Sequence, residues 1–165
     1  MNEMGNAIVY RQGVRQEDRE AVGRLVHATG FFSTEECAIA VELVDDRLAR
    51  GKASGYFFLF AEEGERFLGY TCFGPIPGTS HSFDLYWIAV DPHTQGQGLG
   101  RKLLTESERL MVEHGARRVY ADTSSRLQYK PTQAFYLACG YVQEAFLADF
   151  YAPDDGKVIF VKVLK

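Results

Sequence analysis

The sequence lacks several features that define large classes of proteins. Its 165 residues include only 3 cysteines, and no stretch approaches the roughly 18 uncharged apolar residues that a membrane span needs. Cys37, Cys72 and Cys139 are odd in number and lie in apolar stretches, which favours a reducing compartment over a disulfide framework. The N-terminus also lacks the basic region and apolar core of a signal peptide. We therefore expect a cytoplasmic protein that does not enter a membrane.

An excess of charge of one sign is also absent. Charged residues make up 24% of the chain and the formal net charge is -4, which argues against both disorder and a nucleic-acid partner. Hydrophobic residues make up 46%, enough for a full core, and neither a repeat nor a linker divides the chain. We predict one domain over residues 1–165. The histidines have no metal-ligand spacing, so we expect no metal site: His27, His81, His93 and His114.

Apolar periodicity and turn residues predict the element order β-α-α-β-β-β-α-β-α-β-β, an α/β (α+β) mixture with a largely antiparallel first half. The second helix is expected to start at the capping box Ser33–Glu36 and to stop at Gly51. The other helices are predicted at Gln16–Ala28, Leu99–His114 and Pro131–Cys139. The strands are predicted at Ile8–Val14, Tyr56–Ala61, Phe67–Phe73, Phe83–Val90, Arg118–Thr123, Tyr141–Ala148 and Lys157–Leu164.

A glycine-rich segment, Gln95-Gly96-Gln97-Gly98-Leu99-Gly100, joins the fourth strand to the third helix. Glycines let the backbone approach a ligand closely, and the helix N-terminus offers unpaired amides, so the segment suits a pyrophosphate. A plain flexible turn is the alternative. A P-loop would need a Gly-Lys-Ser/Thr ending that is absent, and a Rossmann fingerprint would normally open the first βαβ unit. Asp122 lies at a distance that suits a Rossmann ribose ligand, but the meandering strands before the loop argue against that fold.

This segment resembles the Gln/Arg-x-x-Gly-x-Gly/Ala signature of the GNAT acetyltransferase superfamily. The preceding strand, Leu85–Pro92, is similar to the family's fourth strand, and Ala134–Tyr141 resembles its Phe-Tyr helix that ends in Gly-aromatic. The resemblance implies a central, mostly antiparallel sheet of six to seven strands, splayed at the acetyl-CoA site and flanked by about four helices. It also implies an acetyl-CoA-dependent N-acetyltransferase.

In the implied site, acetyl-CoA lies in a V-shaped gap between the strand ending at Val90 and the strand ending near Thr123. The signature loop would hold the pyrophosphate, and backbone groups of the fourth strand would pair with pantetheine. Where the family often has an asparagine, this chain has Tyr129, so Ser124, Ser125 or Thr132 is expected to take over its contact. The coenzyme residues implied are Ile88, Ala89, Val90, Gln95, Gly96, Gly98, Leu99, Gly100, Arg101, Ser124, Thr132 and Tyr136.

The resemblance also nominates groups for the chemistry. Acetylation needs a deprotonated amine and a thiolate that is stabilised or protonated as it leaves. Tyr136 stands where the family's tyrosine serves as the general acid toward sulfur. Asp84 and Asp122 lie on the two strands that border the coenzyme, and both remain candidates for the general base; proton transfer through ordered water is a further option.

The acceptor is expected to be a primary amine of a small molecule or of a peptide or protein, which attacks acetyl-CoA directly in a ternary complex. In the family, the loop between the first two helices and the loop between the last two strands bound the acceptor. Here both loops are aromatic, and the acidic residues Glu35, Glu36, Asp149, Asp154 and Asp155 lie in or near them. The loops nominate Phe31, Phe32, Asp149 and Tyr151 beside Asp84. The main rival interpretation is a non-catalytic acyl-CoA-binding module. A nucleotide-binding regulator is a third, weaker interpretation. The sequence leaves open the acceptor, the length of the acyl group and a homodimer.

Overall fold

The alternation of strand-forming and helix-forming segments is realised in a computed structural model, which describes residues 7–164. Those residues form seven strands and four α-helices in the predicted order. The strands are β1 (Ile8–Arg11), β2 (Phe57–Glu63), β3 (Arg66–Pro75), β4 (Ser82–Val90), β5 (Arg118–Ser124), β6 (Val142–Ala152) and β7 (Asp155–Val163). The helices are α1 (Asp18–Ala28), α2 (Thr34–Arg50), α3 (Leu99–Glu113) and α4 (Lys130–Ala138). None of the described helices is both long and apolar enough to span a membrane.

The strands form one mixed sheet in the order β1-β2-β3-β4-β5-β7-β6. The pairs β1–β2, β2–β3, β5–β7 and β6–β7 are antiparallel, whereas β4 pairs with β5 in parallel. The parallel register joins Ser82–Asp84 to Arg118–Tyr120. The prediction of a mostly antiparallel sheet of six to seven strands with about four helices is confirmed.

The chain folds as two compact units. The first unit comprises the chain up to Gly74 together with Tyr86–Ser107, and the second comprises Pro75–Leu85 and the chain from Glu108 onwards. Because one unit takes the start of β4 and the other takes its end, the boundary falls inside this strand. The single domain expected over residues 1–165 stays a prediction.

The core of the first unit forms where the apolar stripes of α1 and α2 cover one face of β2 and β3. Removing such side chains from water contributes about 1.5–3 kcal/mol each. On the other face of β3, Thr71 contacts Ser107 of α3 at 2.6 Å between their hydroxyl oxygens. Helices therefore cover both faces of this strand. The buried cluster under α1 and α2 comprises Val22, Leu25, Val26, Ala40, Val44, Phe58, Phe60, Tyr70, Cys72 and Ala89.

The start of α2 is fixed by the capping box that the sequence predicts. Ser33 Oγ accepts a hydrogen bond from Glu36 N, and Glu36 Oε2 accepts one from Ser33 N, both at 3.1 Å. Two of the helix's unpaired amides are satisfied in this way. Gly51 follows the helix with a positive φ of 59°, which explains why the helix ends there.

The second unit is built around the aromatic side chains of α4, β7 and the segment after α4. The Tyr136 ring lies 5.4 Å from that of Tyr141 and 5.6 Å from that of Phe160, measured between centroids. Glu108, on the last part of α3, is buried, and its carboxylate accepts hydrogen bonds from Tyr141 Oη and Lys162 Nζ, both at 2.8 Å. The buried charge is therefore paired and hydrogen-bonded.

Two predicted loops are shorter in the structure. The polar segment Glu62–Arg66 was expected to form a loop, but β2 continues to Glu63 and β3 starts at Arg66, because Gly64 adopts a positive φ of 61° and makes a tight turn possible. Similarly, β6 continues to Ala152, so Asp149 and Tyr151 lie in a strand and not in the loop expected between the last two strands. The strand is irregular here: its register against β7 shifts between Leu147 and Ala152, and Asp149 adopts a positive φ.

Candidate active site

In the first unit, the turn after β4 is held by its own hydrogen bonds. Asp91 N donates to Leu68 O at 2.7 Å, and Asp91 Oδ1 accepts from His93 N at 2.8 Å. Thr94 is buried and donates both its amide and its hydroxyl to Asp91 O. The segment that leads into the glycine loop is therefore firmly attached to the end of the sheet.

The glycine loop itself has backbone angles that favour glycine. Gly96 and Gly98 have φ values of 82° and 78°, and no described heavy atom lies within 4 Å of a Cβ built on either residue. Conformation, and not lack of space, is therefore the reason for glycine here. Leu99 is the first residue of α3, and because only 3% of its surface is exposed, it anchors the start of this helix in the core. Gly100 and Arg101 follow in the first turn, where helical amides have no partner within the helix.

The end of β4 carries the strand residues expected to face pantetheine. Ala89 is buried, and β3 approaches it so closely that a Cβ on Gly69 would lie 2.9 Å from Ala89 O. Val90 O accepts a 3.5 Å hydrogen bond from Gln95 Nε2, which ties the strand end to the glycine loop. Ile88 lies between these contacts in the strand and is partly exposed. Strand end and loop thus form one connected segment.

The two aromatic residues expected at the acceptor site contact each other and β4. The rings of Phe31 and Phe32 are 5.7 Å apart in an edge-to-face arrangement, and the Phe32 ring lies 4.9 Å from that of Trp87. Trp87 Nε1 is buried and has no hydrogen-bond partner among the described residues. The structure therefore brings the loop between α1 and α2 onto β4 through edge-to-face and tilted aromatic contacts.

In the second unit, the two candidate bases lie together but differ in their partners. Asp84 is half-buried, and its pKa is raised to about 6 by burial first and then by the charge of Asp122, while Lys157 lowers it. Asp122 Oδ2, by contrast, lies 3.0 Å from Lys157 Nζ. No described residue forms a hydrogen bond or ion pair with the Asp84 side chain. The structure therefore distinguishes two carboxylates that the sequence left equal.

Tyr136 on α4 is 5% exposed. Burial, followed by the charges of Asp122 and Cys139, raises its pKa well above the ordinary value of 10.0. Its hydroxyl has no hydrogen-bond partner among the described residues. This oxygen is not fully buried, so a ligand can reach it. The side chain thus stays protonated at ordinary pH and keeps its donor available.

The hydroxyl groups proposed to replace the family's asparagine have different surroundings. Ser124 Oγ forms a short hydrogen bond with Asp155 and accepts one from Arg126 N at 3.1 Å. Ser125 Oγ accepts from Gly156 N at 2.8 Å. Both serines therefore tie the end of β5 to the start of β7, whereas the Thr132 hydroxyl in the first turn of α4 forms no hydrogen bond with another described residue.

The β6 residues expected at the acceptor site lie in an irregular stretch of that strand. The pairing of β6 with β7 shifts between Leu147 and Ala152, and Asp149 has a positive φ of 55°. Asp149 Oδ1 accepts a hydrogen bond from Asp154 N at 2.8 Å, and the exposed Tyr151 ring lies 5.0 Å from that of Phe150. Phe150 in turn lies under Lys157 Nζ, 4.5 Å from the ring centroid.

Sequence reasoning missed Lys157 and Phe150. Lys157 starts a predicted strand, and its contact with Asp122 depends on the register of β5 against β7, which no local pattern contains. An available signal was that a lysine at the first position of an apolar strand can reach an acidic residue on the neighbouring strand.

Over residues 7–164, no group of three or more His, Cys, Asp or Glu side chains is arranged to hold a metal.

The fold, with its glycine turn between β4 and α3, is that of an acetyltransferase, and comparison with known proteins gives the family. The acetyltransferase (GNAT) family model matches residues 21–141. This chain belongs to the acetyltransferase (GNAT) family.

Individual relatives resemble the chain to different extents. Mycothiol acetyltransferase of Amycolatopsis mediterranei (strain U-32) is 32% identical over an alignment of 123 residues; the match covers 69% of this chain but 40% of that protein. A GNAT-family protein from Desulfovibrio desulfuricans has a crystal structure that is 44% identical, covers 95% of this chain and 99% of its own, and has a TM-score of 0.94. An aminoglycoside 6'-N-acetyltransferase solved with coenzyme A is 14% identical, covers 95% of this chain and 96% of its own, and has a TM-score of 0.75; it is similar in fold.

Proposed function

We propose that the protein transfers the acetyl group of acetyl-CoA to a primary amine of a small molecule or peptide, by direct attack in a ternary complex. Membership of the family supports acetyl transfer, and the glycine turn at the start of α3 supports coenzyme binding. The observation that carries the amine as acceptor is Asp84, a half-buried carboxylate whose pKa of about 6 suits a group that accepts a proton near neutral pH. An ammonium substrate must lose a proton before it can attack.

For the coenzyme, we propose that amides of the glycine loop and of the first turn of α3 hold the pyrophosphate. The positive φ values of Gly96 and Gly98 turn the backbone so that successive amides can face one anion, and the helix dipole favours negative charge at this end. Arg101 adds a positive charge in the first turn. Backbone groups of Ile88, Ala89 and Val90 pair with the pantetheine arm in this proposal, and acetyl-CoA supplies the activated acetyl group.

For the base, we propose Asp84 over Asp122. A base must be free to take a proton, and the Asp122 carboxylate is already engaged by Lys157 at 3.0 Å. Asp84 accepts the proton from the ammonium directly or through water, the neutral amine attacks the thioester carbonyl, and the carbon–sulfur bond breaks as the carbon–nitrogen bond forms. Two carboxylates near the amine also favour a cationic acceptor.

For the leaving group, we propose that the Tyr136 hydroxyl donates a hydrogen bond to the coenzyme sulfur. A thiol has an ordinary pKa of about 8.5, and that of Tyr136 is raised above 10.0, so complete proton transfer to the thiolate is uphill. The hydroxyl therefore stabilises the developing thiolate; the second proton of the attacking nitrogen leaves to solvent as the amide forms, and solvent protonates the thiolate. Phe31, Phe32, Asp149 and Tyr151 remain the proposed contacts to the acceptor.

The assignment of the base can be tested with two isosteric variants. Thioester cleavage is monitored through the thiol that it releases, with spermidine, an aminoglycoside and an alanine-ended peptide as test amines. The pH profiles of kcat/KM are then measured with the best of these amines. We expect wild type and Asp122→Asn to keep a rising limb in kcat/KM, whereas Asp84→Asn loses it. The limb of Asp122→Asn should move to lower pH, because the charge of Asp122 raises the pKa of Asp84. If Asp84→Asn keeps the wild-type limb, Asp84 is not the base.

A further inference from the structure

Lys157 lies on the same face of the sheet as the two candidate bases of the second unit. The register pairs Ser124 with Lys157 and Asp122 with Ile159, so Lys157 and Asp122 are diagonal neighbours on one face of β5 and β7. The parallel register of β4 places Asp84 beside Tyr120, two residues before Asp122 and on the same face. Two acidic side chains and one basic side chain therefore share this face of the sheet.

We propose that Lys157 is a positioning residue that fixes the roles of the two aspartates, by pairing with Asp122 so that Asp84 alone acts as proton acceptor. This inference rests on the proposed function of Asp84. Lys157 does not need to touch the acceptor or the coenzyme for this role. It acts through the charge of Asp122 and through its own charge near Asp84.

The position of Lys157 is held from both sides. Its Nζ lies 3.0 Å from Asp122 Oδ2 and 4.5 Å from the centroid of the Phe150 ring. The preceding residue, Gly156, exchanges hydrogen bonds with Ser125, whose amide donates to Gly156 O at 2.9 Å. A Cβ on Gly156 would lie 2.5 Å from Phe146, so the backbone here fits tightly against β6. The ammonium group is therefore directed at Asp122 by a well-packed strand start.

The electrostatic consequence follows from the groups around Asp84 in this unit. Burial and Asp122 raise the pKa of Asp84, and Lys157 lowers it. Without Lys157, two carboxylates would face each other unpaired, and such pairs tend to share one proton. Either aspartate could then hold that proton. Within this unit the titratable groups facing the pair are Tyr120 on β5, Lys157 on β7 and Tyr136 on α4.

The test measures aspartate titration directly, so it does not depend on knowing the acceptor. Carboxyl-carbon NMR is recorded from pH 4 to pH 9 on wild type, Lys157→Met and Lys157→Arg, with the Asp84 signal assigned from Asp84→Asn. We expect Asp84 to titrate near pH 6 in wild type. In Lys157→Met the midpoint should rise by roughly one unit, as expected when a nearby opposite charge is lost. Lys157→Arg should restore the wild-type value.

A matched control removes the same charge elsewhere. Lys130 is exposed at the start of α4, and Lys130→Met should leave the Asp84 midpoint unchanged. The inference is overturned if Lys157→Met also leaves it unchanged, or if Lys130→Met shifts it equally. Urea unfolding identifies variants that fold. If the NMR shifts are as expected but wild type acetylates none of the amines, the acetyl-transfer proposal has failed while the pairing of Lys157 with Asp122 stands.

Discussion

At the scale of single residues, two neighbouring tyrosines differ in what their hydroxyl groups contact. Tyr141 Oη donates to the buried Glu108 carboxylate at 2.8 Å, whereas the hydroxyl of Tyr136 has no partner among the described residues. Their rings contact each other and are both buried. Removing the hydroxyl groups one at a time therefore separates a structural from a chemical role.

We expect Tyr136→Phe to lower turnover about 10²-fold or more, with coenzyme A affinity close to wild type, because a donor to the developing thiolate acts in the transition state. Its stability should change little. Tyr141→Phe is the matched control: it should keep turnover but lower the free energy of unfolding by about 1–3 kcal/mol, since Glu108 loses a hydrogen bond. Steady-state kinetics and urea unfolding check both variants. Near-normal turnover in Tyr136→Phe would make this residue part of the core only.

Elements were predictable where short-range signals decide them. The capping box at Ser33 and the stop at Gly51 are local, so the start and the end of α2 followed from the sequence. The extent of β6 did not, because Asp149 and Asp154 adopt positive φ and carry the strand on to Ala152, in place of the expected loop. In the candidate site, local motifs nominate Gly98 and Tyr136, whose roles stay predictions. Lys157 was missed because its contact depends on the pairing of distant strands.

The glycine loop can be tested against a turn of the same backbone conformation. Gly98 and Gly78 have φ values of 78° and 79°, and neither has a heavy atom of the described chain within 4 Å of an added Cβ. Gly98→Glu and Gly78→Glu should therefore cost similar strain, about 1 kcal/mol. Only Gly98→Glu should weaken coenzyme A binding, by tenfold or more, because a carboxylate would repel the pyrophosphate. Calorimetry with coenzyme A checks this, and equal affinities in two folded variants would remove the loop from the proposed site.

For the whole molecule, the half-buried Asp84 links function to the pH dependence of stability. Its pKa of about 6 lies above the ordinary value of 3.8, so between these values the folded chain keeps a proton that the unfolded chain has lost. This carboxyl group favours the folded state below about pH 3.8, and that contribution is lost as pH rises through 6. A carboxylate kept half-buried at neutral pH therefore lowers the stability of the folded chain, and such costs are common where a residue serves function.

Replacing Asp84 with asparagine should therefore stabilise the protein at neutral pH. Asparagine resembles the protonated carboxyl group, so Asp84→Asn avoids the loss that wild type suffers above pH 6, and the two should converge toward pH 4. Asp46→Asn provides a control of opposite sign, because a hydrogen bond from Arg50 lowers the pKa of the partly exposed Asp46. That variant should be slightly less stable than wild type at neutral pH and should also converge at low pH. Urea unfolding from pH 2.5 to pH 8 measures both differences. A pH-independent difference for Asp84→Asn would mean that Asp84 titrates near its ordinary value, and would leave it without the raised pKa that favours it as the base.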